Sequence, residues 1–437
     1  MARASTQRTF LRGAGTAAIG IGLAANAFGR AGKVAPSDQI NVGSIGVGPM
    51  GSGHLGYLLG QKDVRMAAVC DVYEPKVGRA IKRCGGNAKG YADFRKLLDD
   101  KDVDAVVIAP PPHWHALMSI AACKAGKDFY VEKPMTLYLD ESKAVVAAVR
   151  KHKRITQVGT QVHAAPNYRN VVGMIRSGVL GPVNLVRTFN VMNQTRRGIG
   201  SPANCPPPAG LDWEMWVGPA PMRPCNPAIL RGAFHHCSFM DFSGGWLPGM
   251  APHIIDLPIW ALDLGLPTQV SCEGGRYVLD DAGDCPDVQE ALFQYPGLTM
   301  TWMSNLTNSY GFDFHGRGGM ARRLGIYFHA ELATLFANYG THKIVPEDRN
   351  REFKFPASTI PPLADHHRQW LDGIRTRKQP SCNVFYNHRV NVPCALANLS
   401  LRLRRSIAFD PDTEAIVGDP EAARLSMPAY RKPWTLG

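Results

Sequence analysis

A glycine-rich run between a strand-like and a helix-like segment constrains this chain more than any other feature. Residues 45–51 read Ile-Gly-Val-Gly-Pro-Met-Gly, which places glycines at positions 46, 48 and 51. Residues 39–45 carry the apolar pattern of a buried strand, and residues 50–59 are small and apolar, like a helix that packs on a sheet. Glycines at this spacing permit a tight turn and let the backbone approach a pyrophosphate at the helix N-terminus. The run therefore predicts the first strand, turn and helix of a dinucleotide-binding domain.

A carboxylate at the end of the next predicted strand supplies the second half of this signature. Residues 64–70 form that strand, and Asp71 follows directly. A carboxylate there accepts hydrogen bonds from both adenosine ribose hydroxyls and repels a 2′-phosphate. Val72 and Tyr73 come next rather than an arginine pair, so NAD is favoured over NADP, although Lys76 lies nearby in sequence. The alternative is a glycine-rich turn with Asp71 as a helix cap.

The N-terminal segment looks like an export signal. Thr-Gln-Arg-Thr-Phe-Leu-Arg at 6–12 precedes an apolar, glycine- and alanine-rich run at 13–28. This resembles a twin-arginine signal in which Gln7 replaces the first arginine, and the run is short for a membrane span. We expect residues 1–33 to be a signal segment, with a folded enzyme exported to the periplasm and no membrane insertion after processing. The alternative is a disordered tail on a cytoplasmic protein.

Charge and cysteine content exclude several classes of protein. The formal net charge is +13, but five basic residues lie in the first 33 positions, and the remaining ones are scattered. The sequence therefore predicts no nucleic-acid partner. The ten cysteines show no C-x-x-C spacing, so no metal finger is expected. Cys70 and Cys123 fall on apolar faces and are expected to be buried.

Strand and helix patterns alternate up to about residue 162 and then change. We expect a domain at 38–162 with helices at 91–99, 115–125 and 140–152 (N-capped by Asp140), and strands at 104–109, 129–132 and 155–161. Strand-like segments at 183–192, 269–273, 289–294 and 299–303 follow, with few helices between them. The fold class is α/β: an N-terminal Rossmann domain with a doubly wound parallel sheet, and an α+β domain at 163–437 with a largely antiparallel open sheet. The proline-rich stretch 201–227 reads as an ordered loop anchored by Trp213 and Trp216.

The Glu132-Lys133-Pro134 motif ends a predicted strand at the edge where open α/β sheets bind ligands. A lysine there is a candidate proton donor or acceptor for a sugar hydroxyl, and Glu132 is suited to hold its ammonium. Taken alone, the motif is better explained as a structural ion pair at a strand end.

Several motifs together resemble the Gfo/Idh/MocA family, which includes glucose–fructose oxidoreductase and inositol dehydrogenase. They are the glycine run with Asp71, His-Trp-His at 113–115, Glu-Lys-Pro at 132–134, Gly-Thr-Gln at 159–161, Gly-Gly at 244–245 before His253 and Asp256, His-His-Arg-Gln-Trp-Leu at 366–371, and the segment 426–434, which resembles exported members. The resemblance covers essentially the whole chain after the signal. It implies an NAD-dependent oxidoreductase with a carbohydrate substrate, and a homo-oligomer paired through the second-domain sheets.

The resemblance also implies roles for individual residues. Lys133 supports proton transfer, and His253 is the acid/base, with Asp256 as a candidate orienting group. The expected cofactor contacts are Gly46, Gly48, Met50, Gly51, Asp71, Pro110, His113, Trp114, His115, Glu132 and Lys133, with the His115 ring near the nicotinamide. The expected substrate contacts are Lys133, His163, Tyr168, Trp246 and His253. The family has an aspartate four residues before the histidine, whereas this chain has Gly249, which puts a standard dehydrogenase site in doubt.

Other histidines and tryptophans have simpler explanations. His235-His236-Cys237 and Asp365-His366-His367 do not offer two ligands four residues apart on a helix, so no metal site is expected. Trp213, Trp216 and Trp246 either stack on sugar rings or anchor loops and cores.

Three functions follow, in decreasing order of support. The first is hydride transfer from a hydroxyl-bearing carbon of a sugar, polyol or glycoside to tightly held NAD. The second is a redox-neutral glycosidase or epimerase that works through a keto sugar, because free NAD is not expected to be recycled after export. The third is a non-catalytic, cofactor-bound sugar-binding protein.

Overall fold

The structure, a computed structural model, describes residues 39–231, 235–312, 323–363 and 365–436. The expected signal segment 1–33 lies outside these residues. Within them, no helix is both long and apolar enough to cross a bilayer.

The N-terminal sheet has six parallel strands, each followed or preceded by a helix. Its order is β3-β2-β1-β4-β5-β6, and every strand pairing in it is parallel. The order reverses between β1 and β4, which is where ligands of open α/β sheets bind, outside the carboxyl ends of the strands. The elements are β1 (Ile40–Ile45), α1 (Pro49–Leu59), β2 (Val64–Cys70), α2 (Glu74–Arg83), β3 (Lys89–Tyr91), α3 (Phe94–Asp99), β4 (Ala105–Ile108), α4 (His115–Lys124), β5 (Asp128–Val131), α5 (Leu139–His152) and β6 (Thr156–Val158).

The second sheet is larger and mostly antiparallel. Its order is β14-β13-β12-β7-β10-β9-β8-β15-β16, with β11 paired to β7, and β7 and β10 form its parallel pair. The elements are α6 (Pro166–Arg176), β7 (Val183–Asn193), α7 (Trp213–Val217), α8 (Pro227–Leu230), α9 (Met240–Ser243), α10 (Trp246–Ala261), β8 (Gln269–Gly275), β9 (Val288–Tyr295), β10 (Leu298–Asn305), β11 (Thr307–Asn308), β12 (Leu324–Ala330), β13 (Ala333–Ala337), β14 (His342–Pro346), α11 (His366–Thr376), α12 (Val384–Leu403), β15 (Ile407–Asp410), β16 (Ala415–Ile416) and α13 (Pro420–Leu425). The predicted fold class is confirmed.

Some predicted element boundaries are wrong for local reasons. Tyr91 ends a short strand, and the following helix begins at Phe94 because the Asp93 side chain caps it. Asp140 is not an N-cap: α5 begins one residue earlier, where the Glu141 carboxylate accepts the backbone N–H groups of residues 137 and 138. The strand predicted at 155–161 is only three residues long, since a 3₁₀ helix begins at Gln161.

The second sheet also has more helix around it than expected. The 16-residue α10 and the 20-residue α12 are almost entirely buried. They pack with α6 and the inner sheet face in one apolar core that includes Trp302, Phe293 and Leu247. These helices are apolar on most sides, so their amphipathic period is weak in the sequence.

Candidate active site

The glycine run forms the turn between β1 and α1. Gly46 has φ of 81°, and a Cβ there would lie 2.5 Å from the backbone nitrogen of Pro110. A Cβ on Gly51 would collide with the carbonyl oxygen of Gly46. Gly48 instead faces open space, where a Cβ would meet only the Lys76 Nζ at 3.9 Å. Two glycines thus make the tight turn possible, and the third leaves room for a ligand at the helix N-terminus.

Asp71 lies beside this turn, at the carboxyl end of β2. Its Oδ2 accepts a hydrogen bond from the Val47 N–H at 3.0 Å, and its Oδ1 accepts one from the Tyr73 N–H at 3.0 Å. Burial raises the pKa of this carboxyl, while Lys76 and these two N–H groups favour its charged form. Each oxygen keeps acceptor capacity for a ribose hydroxyl. The cradle at Gly48 and the carboxylate of Asp71 therefore fit the adenosine and pyrophosphate of NAD.

The His-Trp-His motif after β4 is buried and tied to backbone carbonyls. The His113 ring lies between the carbonyl oxygens of Phe242 and Trp216 at 3.3 and 3.2 Å, and burial lowers its pKa to about 4. Trp114 Nε1 donates to the same Trp216 oxygen at 3.1 Å. His113 and Trp114 thus fasten the segment around α7 to the nucleotide-binding sheet.

His115 braces two loops at the carboxyl edge. Its Nδ1 lies 2.7 Å from the Pro134 oxygen and its Nε2 lies 3.0 Å from the Pro110 oxygen. Burial lowers the pKa of this imidazole, so it is neutral and donates to one of the two carbonyls. Because both ring nitrogens face backbone oxygens, the ring holds Pro110 and Pro134 in place. The expectation that this ring lies near the nicotinamide stays a prediction.

Lys133 reaches from the end of β5 to helix α10. Its Nζ donates to the carbonyl oxygen of Gly249 at 2.8 Å. Gly249 occupies the position where the resemblance leads us to expect an aspartate, and Cys237 Sγ lies 3.3 Å from where its Cβ would be. The missing carboxylate is thus replaced by a backbone carbonyl as the partner of the ammonium, with a thiol filling the space.

Glu132 is buried beneath Lys133 and does not hold its ammonium. Its Oε1 accepts from Gln161 Nε2 at 2.8 Å and lies 2.9 Å from His54 Nε2, and its Oε2 accepts from the Lys133 backbone N–H. Burial opposes its charge, but the hydrogen bond from His54 and the nearby Lys133 lower the pKa of this carboxyl to about 2. The sequence-based expectation that Glu132 pairs with the ammonium is therefore wrong.

A second imidazole extends the contact between His54 and Glu132. His54 Nδ1 lies 2.8 Å from His367 Nε2, and the His367 ring stacks on Tyr130 with 5.0 Å between ring centroids. Burial lowers the pKa of His367 to about 3. Both hydrogen bonds form when His367 Nε2 donates to His54 Nδ1 and His54 Nε2 donates to Glu132 Oε1. These two hydrogen bonds hold the Glu132 carboxylate in place beneath the Glu-Lys-Pro turn.

His253 lies on α10, one turn after Gly249. Burial and the positive charge of Lys133 lower its pKa to about 3, so its ring is neutral at physiological pH. Its Nδ1 is buried and has no hydrogen-bond partner among the described residues. Tyr168 donates to the backbone oxygen of His253 at 3.0 Å and is itself fully buried. Tyr168 therefore positions the backbone of His253, and the imidazole keeps a free nitrogen.

Asp256 orients a different histidine from the one expected. Both its carboxylate oxygens lie 3.1 Å from His163 Nδ1, and Tyr386 donates to Oδ1 at 2.6 Å. His163 also stacks on Trp260 at 3.9 Å between centroids. Because Asp256 faces the 3₁₀ helix that begins at Gln161, the proposal that it orients His253 is wrong. His163 is buried, and its Nε2 has no partner among the described residues.

The remaining expected contacts differ in exposure. Trp246 is 7% exposed and packs with Cys237 and Leu306 in a small apolar cluster, so it belongs to a core there. Met50 is 38% exposed at the first turn of α1. Trp213 and Trp216 stack on each other at 4.9 Å and anchor their segment, as the loop reading predicts.

His236 is a site residue that sequence reasoning missed. It precedes Cys237 in a 3₁₀ helix, and burial, Lys133, His113 and His115 together lower its pKa to about 3. The signal in the sequence is the His-His-Cys run at 235–237, whose residue types suggest a metal motif rather than a base. No cluster of three or more metal-ligating side chains occurs in the described part of the chain.

Known protein families account for most of the chain. A model described as "oxidoreductase family, NAD-binding Rossmann fold" (GFO_IDH_MocA) matches residues 40–160. Its companion, "oxidoreductase family, C-terminal alpha/beta domain", matches residues 169–291 and 339–436. The chain belongs to the Gfo/Idh/MocA oxidoreductase family. The resemblance seen in the sequence is thereby confirmed, as is the NAD-binding class of its Rossmann domain.

Two curated relatives of this Gfo/Idh/MocA protein illustrate the range of the family. A glycosyl hydrolase family 109 protein from Shewanella baltica is 32% identical over 202 residues, which cover 40% of this chain and 43% of that protein. An inositol 2-dehydrogenase/D-chiro-inositol 3-dehydrogenase from Lactiplantibacillus plantarum is 34% identical over 150 residues, which cover 34% of this chain and 43% of that protein. The matches thus span less than half the length of these relatives.

Solved structures of similar fold include two sugar-related dehydrogenases. Levoglucosan dehydrogenase in complex with NADH and levoglucosan gives a TM-score of 0.60 at 18% identity, covering 88% of this chain and 100% of that one. The WlbA dehydrogenase from Bordetella pertussis, in complex with NADH and UDP-GlcNAcA, gives 0.63 at 17% identity, covering 85% and 99%. At these identities the likeness shows the fold.

Proposed function

We propose that this protein is an NAD-dependent oxidoreductase that acts on a hydroxyl-bearing carbon of a sugar, polyol or glycoside. The observation that carries the proposal is Lys133 at the carboxyl edge of the Rossmann sheet, held on the Gly249 oxygen and close enough to His253 to lower its pKa. A neutral imidazole can take the proton of a substrate hydroxyl, and a neighbouring cation can stabilise the oxygen as its negative charge develops.

The residues that hold the cofactor follow from the geometry. The open side of Gly48 and the N-terminus of α1 accommodate the pyrophosphate, and the Asp71 oxygens accept from the ribose hydroxyls. The carboxylate repels a 2′-phosphate, so NAD is favoured. When bound, the nicotinamide supplies the hydride acceptor.

Proton transfer falls to Lys133 and His253. The imidazole of His253 is neutral and the residue is partly exposed, so this ring accepts the hydroxyl proton. The Lys133 ammonium stabilises the oxygen as its negative charge develops. Glu132 keeps the Lys133 backbone in place through its hydrogen bond to that N–H. His54 keeps Glu132 ionised and fixed, and His367 positions His54.

We further propose export to the periplasm with NAD held through the catalytic cycle. The segment at 6–28 supports the export route, although Gln7 departs from the twin-arginine pattern. A protein exported already folded carries its cofactor with it, and tight retention removes the need for free NAD outside the cytoplasm. We also propose that the protein is a homo-oligomer.

A redox-neutral glycosidase is the second candidate, and His236 favours it. Cleavage through a keto sugar needs proton transfers at an oxygen and at the neighbouring carbon. Burial and the charge of Lys133 lower the pKa of His236 and also that of His253, so two neutral imidazoles lie near this ammonium. The similarity to a glycosyl hydrolase family 109 protein points the same way.

Nucleotide content tests the proposed function. The protein is purified without added nucleotide and denatured, and released NAD(H) and NADP(H) are measured by mass spectrometry. Near-stoichiometric NAD is the expected result. An excess of NADP contradicts the role of Asp71, and an empty protein that reduces added NAD contradicts tight retention.

A further inference from the structure

The proline-rich segment 201–227, called the strap below, lies across the carboxyl edge of the Rossmann sheet. On one side it joins the loop after β2: the Gly210 oxygen accepts from the Glu74 N–H, and the Asp212 N–H donates to the Val72 oxygen, each at 2.9 Å. On the other side the Trp216 oxygen accepts from Trp114 Nε1 at 3.1 Å, just after β4. The strap is therefore fastened to the loops that follow two different strands.

These two anchor points flank the glycine turn. In the sheet order β3-β2-β1-β4-β5-β6, strand β1 lies between β2 and β4, and the turn at 46–51 follows β1. The first anchor comes directly after Asp71 in the chain. A segment that joins the loops after β2 and β4 thus spans the crevice that fits the adenosine half of NAD.

The two ends of the strap meet at a pair of cysteines. The Cys205 N–H donates to the Cys225 oxygen at 3.0 Å, and Cys205 lies near enough to Cys225 to contribute to the raised pKa of its thiol. Cys205 is exposed and Cys225 is buried. Across such a backbone hydrogen bond the two Cα atoms are close enough for a disulfide. The two residues that would close the strap into a ring are thus within reach of each other in the reduced chain.

We propose that Cys205 and Cys225 form a disulfide that closes the strap over the nucleotide crevice and slows cofactor release. The effect on release rests on the proposed function, whereas the disulfide itself does not. The oxidant is a disulfide-containing compound of the oxidised glutathione class, which an oxidising compartment supplies.

The chemistry proceeds by two thiol–disulfide exchanges. Exposed Cys205, as the thiolate, attacks one sulfur of the oxidant, which breaks the oxidant's S–S bond and expels one thiolate. Burial raises the pKa of Cys225 to about 11, so Cys225 is the resolving residue. It loses its proton and attacks the Cys205 sulfur, which expels the second thiolate. Two protein thiols are oxidised by two electrons, the oxidant is reduced to two thiols, and the released thiolates take up the two protons.

The disulfide is tested by peptide mapping of the full-length protein. The protein is treated with either oxidised glutathione or dithiothreitol, free thiols are alkylated under denaturing conditions, and proteolytic peptides are identified by mass spectrometry. We expect a peptide pair linked through Cys205 and Cys225 only after oxidation. Alkylated thiols or separate glutathione adducts at both positions would overturn the proposal.

Cofactor release tests the consequence. Oxidised and reduced protein are loaded with NADH, and its fluorescence is followed after a chase with excess NAD. We expect release about tenfold slower after oxidation, because local opening of the strap is restricted. Cys205→Ser should abolish this difference, and Cys84→Ser, which removes a partly exposed thiol outside the strap, should retain it. A disulfide that leaves release unchanged would overturn the retention role.

Discussion

The ammonium of Lys133 donates a 2.8 Å hydrogen bond to the carbonyl oxygen of Gly249. This contact joins the end of β5 to α10 and brings a Rossmann residue to the helix that carries His253. A backbone carbonyl cannot take up a proton as a carboxylate does. Proton transfer at this site is thus left to Lys133 and the neighbouring imidazoles.

Lys133→Met is expected to remove turnover without removing the cofactor. The substitution keeps the length of the side chain and deletes the cation, so kcat should fall by about 10²–10⁴-fold. The Kd for NAD should change little, because Gly48 and Asp71 are untouched. Lys124→Met, at the exposed end of α4, is the matched control and should keep full activity. Wild-type kcat in Lys133→Met would remove the residue from the mechanism.

His236 separates the two proposed reactions. In His236→Gln, glycoside cleavage through a keto sugar should fall by about 10²-fold or more, because one of two neutral bases is lost. Reduction of bound NAD by the same substrate should persist, since His253 remains. Both reactions can be measured in one sample: analysis of the sugar products reports cleavage, and single-turnover absorbance reports reduction of bound NAD. Equal losses in the two steps would argue against a separate role for His236.

Gly159→Ala is expected to displace Glu132. A Cβ at this position would lie 2.5 Å from Glu132 Oε1, inside van der Waals contact, and the carboxylate is held on three sides. We expect a loss of about 1–3 kcal/mol in the free energy of unfolding, as for other overpacked sites. Gly78→Ala is the control: it lies within α2 with no atom within 4 Å of its added Cβ, so it should be stabilised by about 0.5–1 kcal/mol. Urea denaturation measures the free energy of unfolding of both variants. If Gly159→Ala has the same free energy of unfolding as the wild type, Glu132 moves freely.

Asp71→Asn is expected to relax cofactor choice. The amide keeps an oxygen that accepts from a backbone N–H but loses the charge that repels a 2′-phosphate. The ratio of NADP to NAD affinity should rise by about tenfold or more, with Lys76 close to the turn. Fluorescence titration with both reduced nucleotides measures the ratio. A ratio equal to that of the wild type would show that Asp71 does not face the ribose.

Acid should destabilise the fold well above the pH at which carboxylates titrate. Burial lowers the pKa of five histidines from 6.5, to about 4 for His113 and to about 3 for His236, His253, His366 and His367. The unfolded chain therefore binds more protons than the native one between pH 6.5 and these values. The free energy of unfolding consequently decreases as the pH is lowered through that window. Each histidine contributes up to about 1.4 kcal/mol per pH unit. Glu141, whose pKa burial raises to about 7, acts in the opposite direction.

The slope of stability against pH can be measured by urea denaturation at a series of pH values. His367→Gln should reduce the slope between pH 6 and 4 by the contribution of one histidine, up to about 1.4 kcal/mol per pH unit. A free energy of unfolding that stays constant over this range would show that these histidines are protonated in the native state.

The sequence predicts the local parts of the site well because they depend on neighbours in the chain. The turn at Gly46 and Gly51 and the position of Asp71 follow from strand, turn and helix patterns within about thirty residues. The position of Lys133 at the end of β5 follows for the same reason.

Contacts between segments that are far apart in the chain could not be predicted from the sequence. His54 meets His367 across 313 positions of the chain, and no local pattern connects them. The pairing of Asp256 with His163 depends on how α10 packs against the 3₁₀ helix at Gln161. Helical spacing correctly places Asp256 close to His253 along α10. The Asp256 side chain nevertheless contacts His163, because it faces the packed 3₁₀ helix. His236 was missed because it approaches Lys133 only in the folded chain.

Single-turnover reduction of bound nicotinamide tests the central claim most directly. Protein loaded with NAD is mixed with a panel of sugars, polyols and glycosides, and the near-ultraviolet absorbance of reduced nicotinamide is followed in the wild type and in Lys133→Met. The account predicts reduction by at least one carbohydrate in the wild type, and reduction slower by about 10²-fold or more in Lys133→Met although it binds NAD equally well. Sugar binding without reduction by any member of the panel, or equal reduction by both proteins, would contradict it.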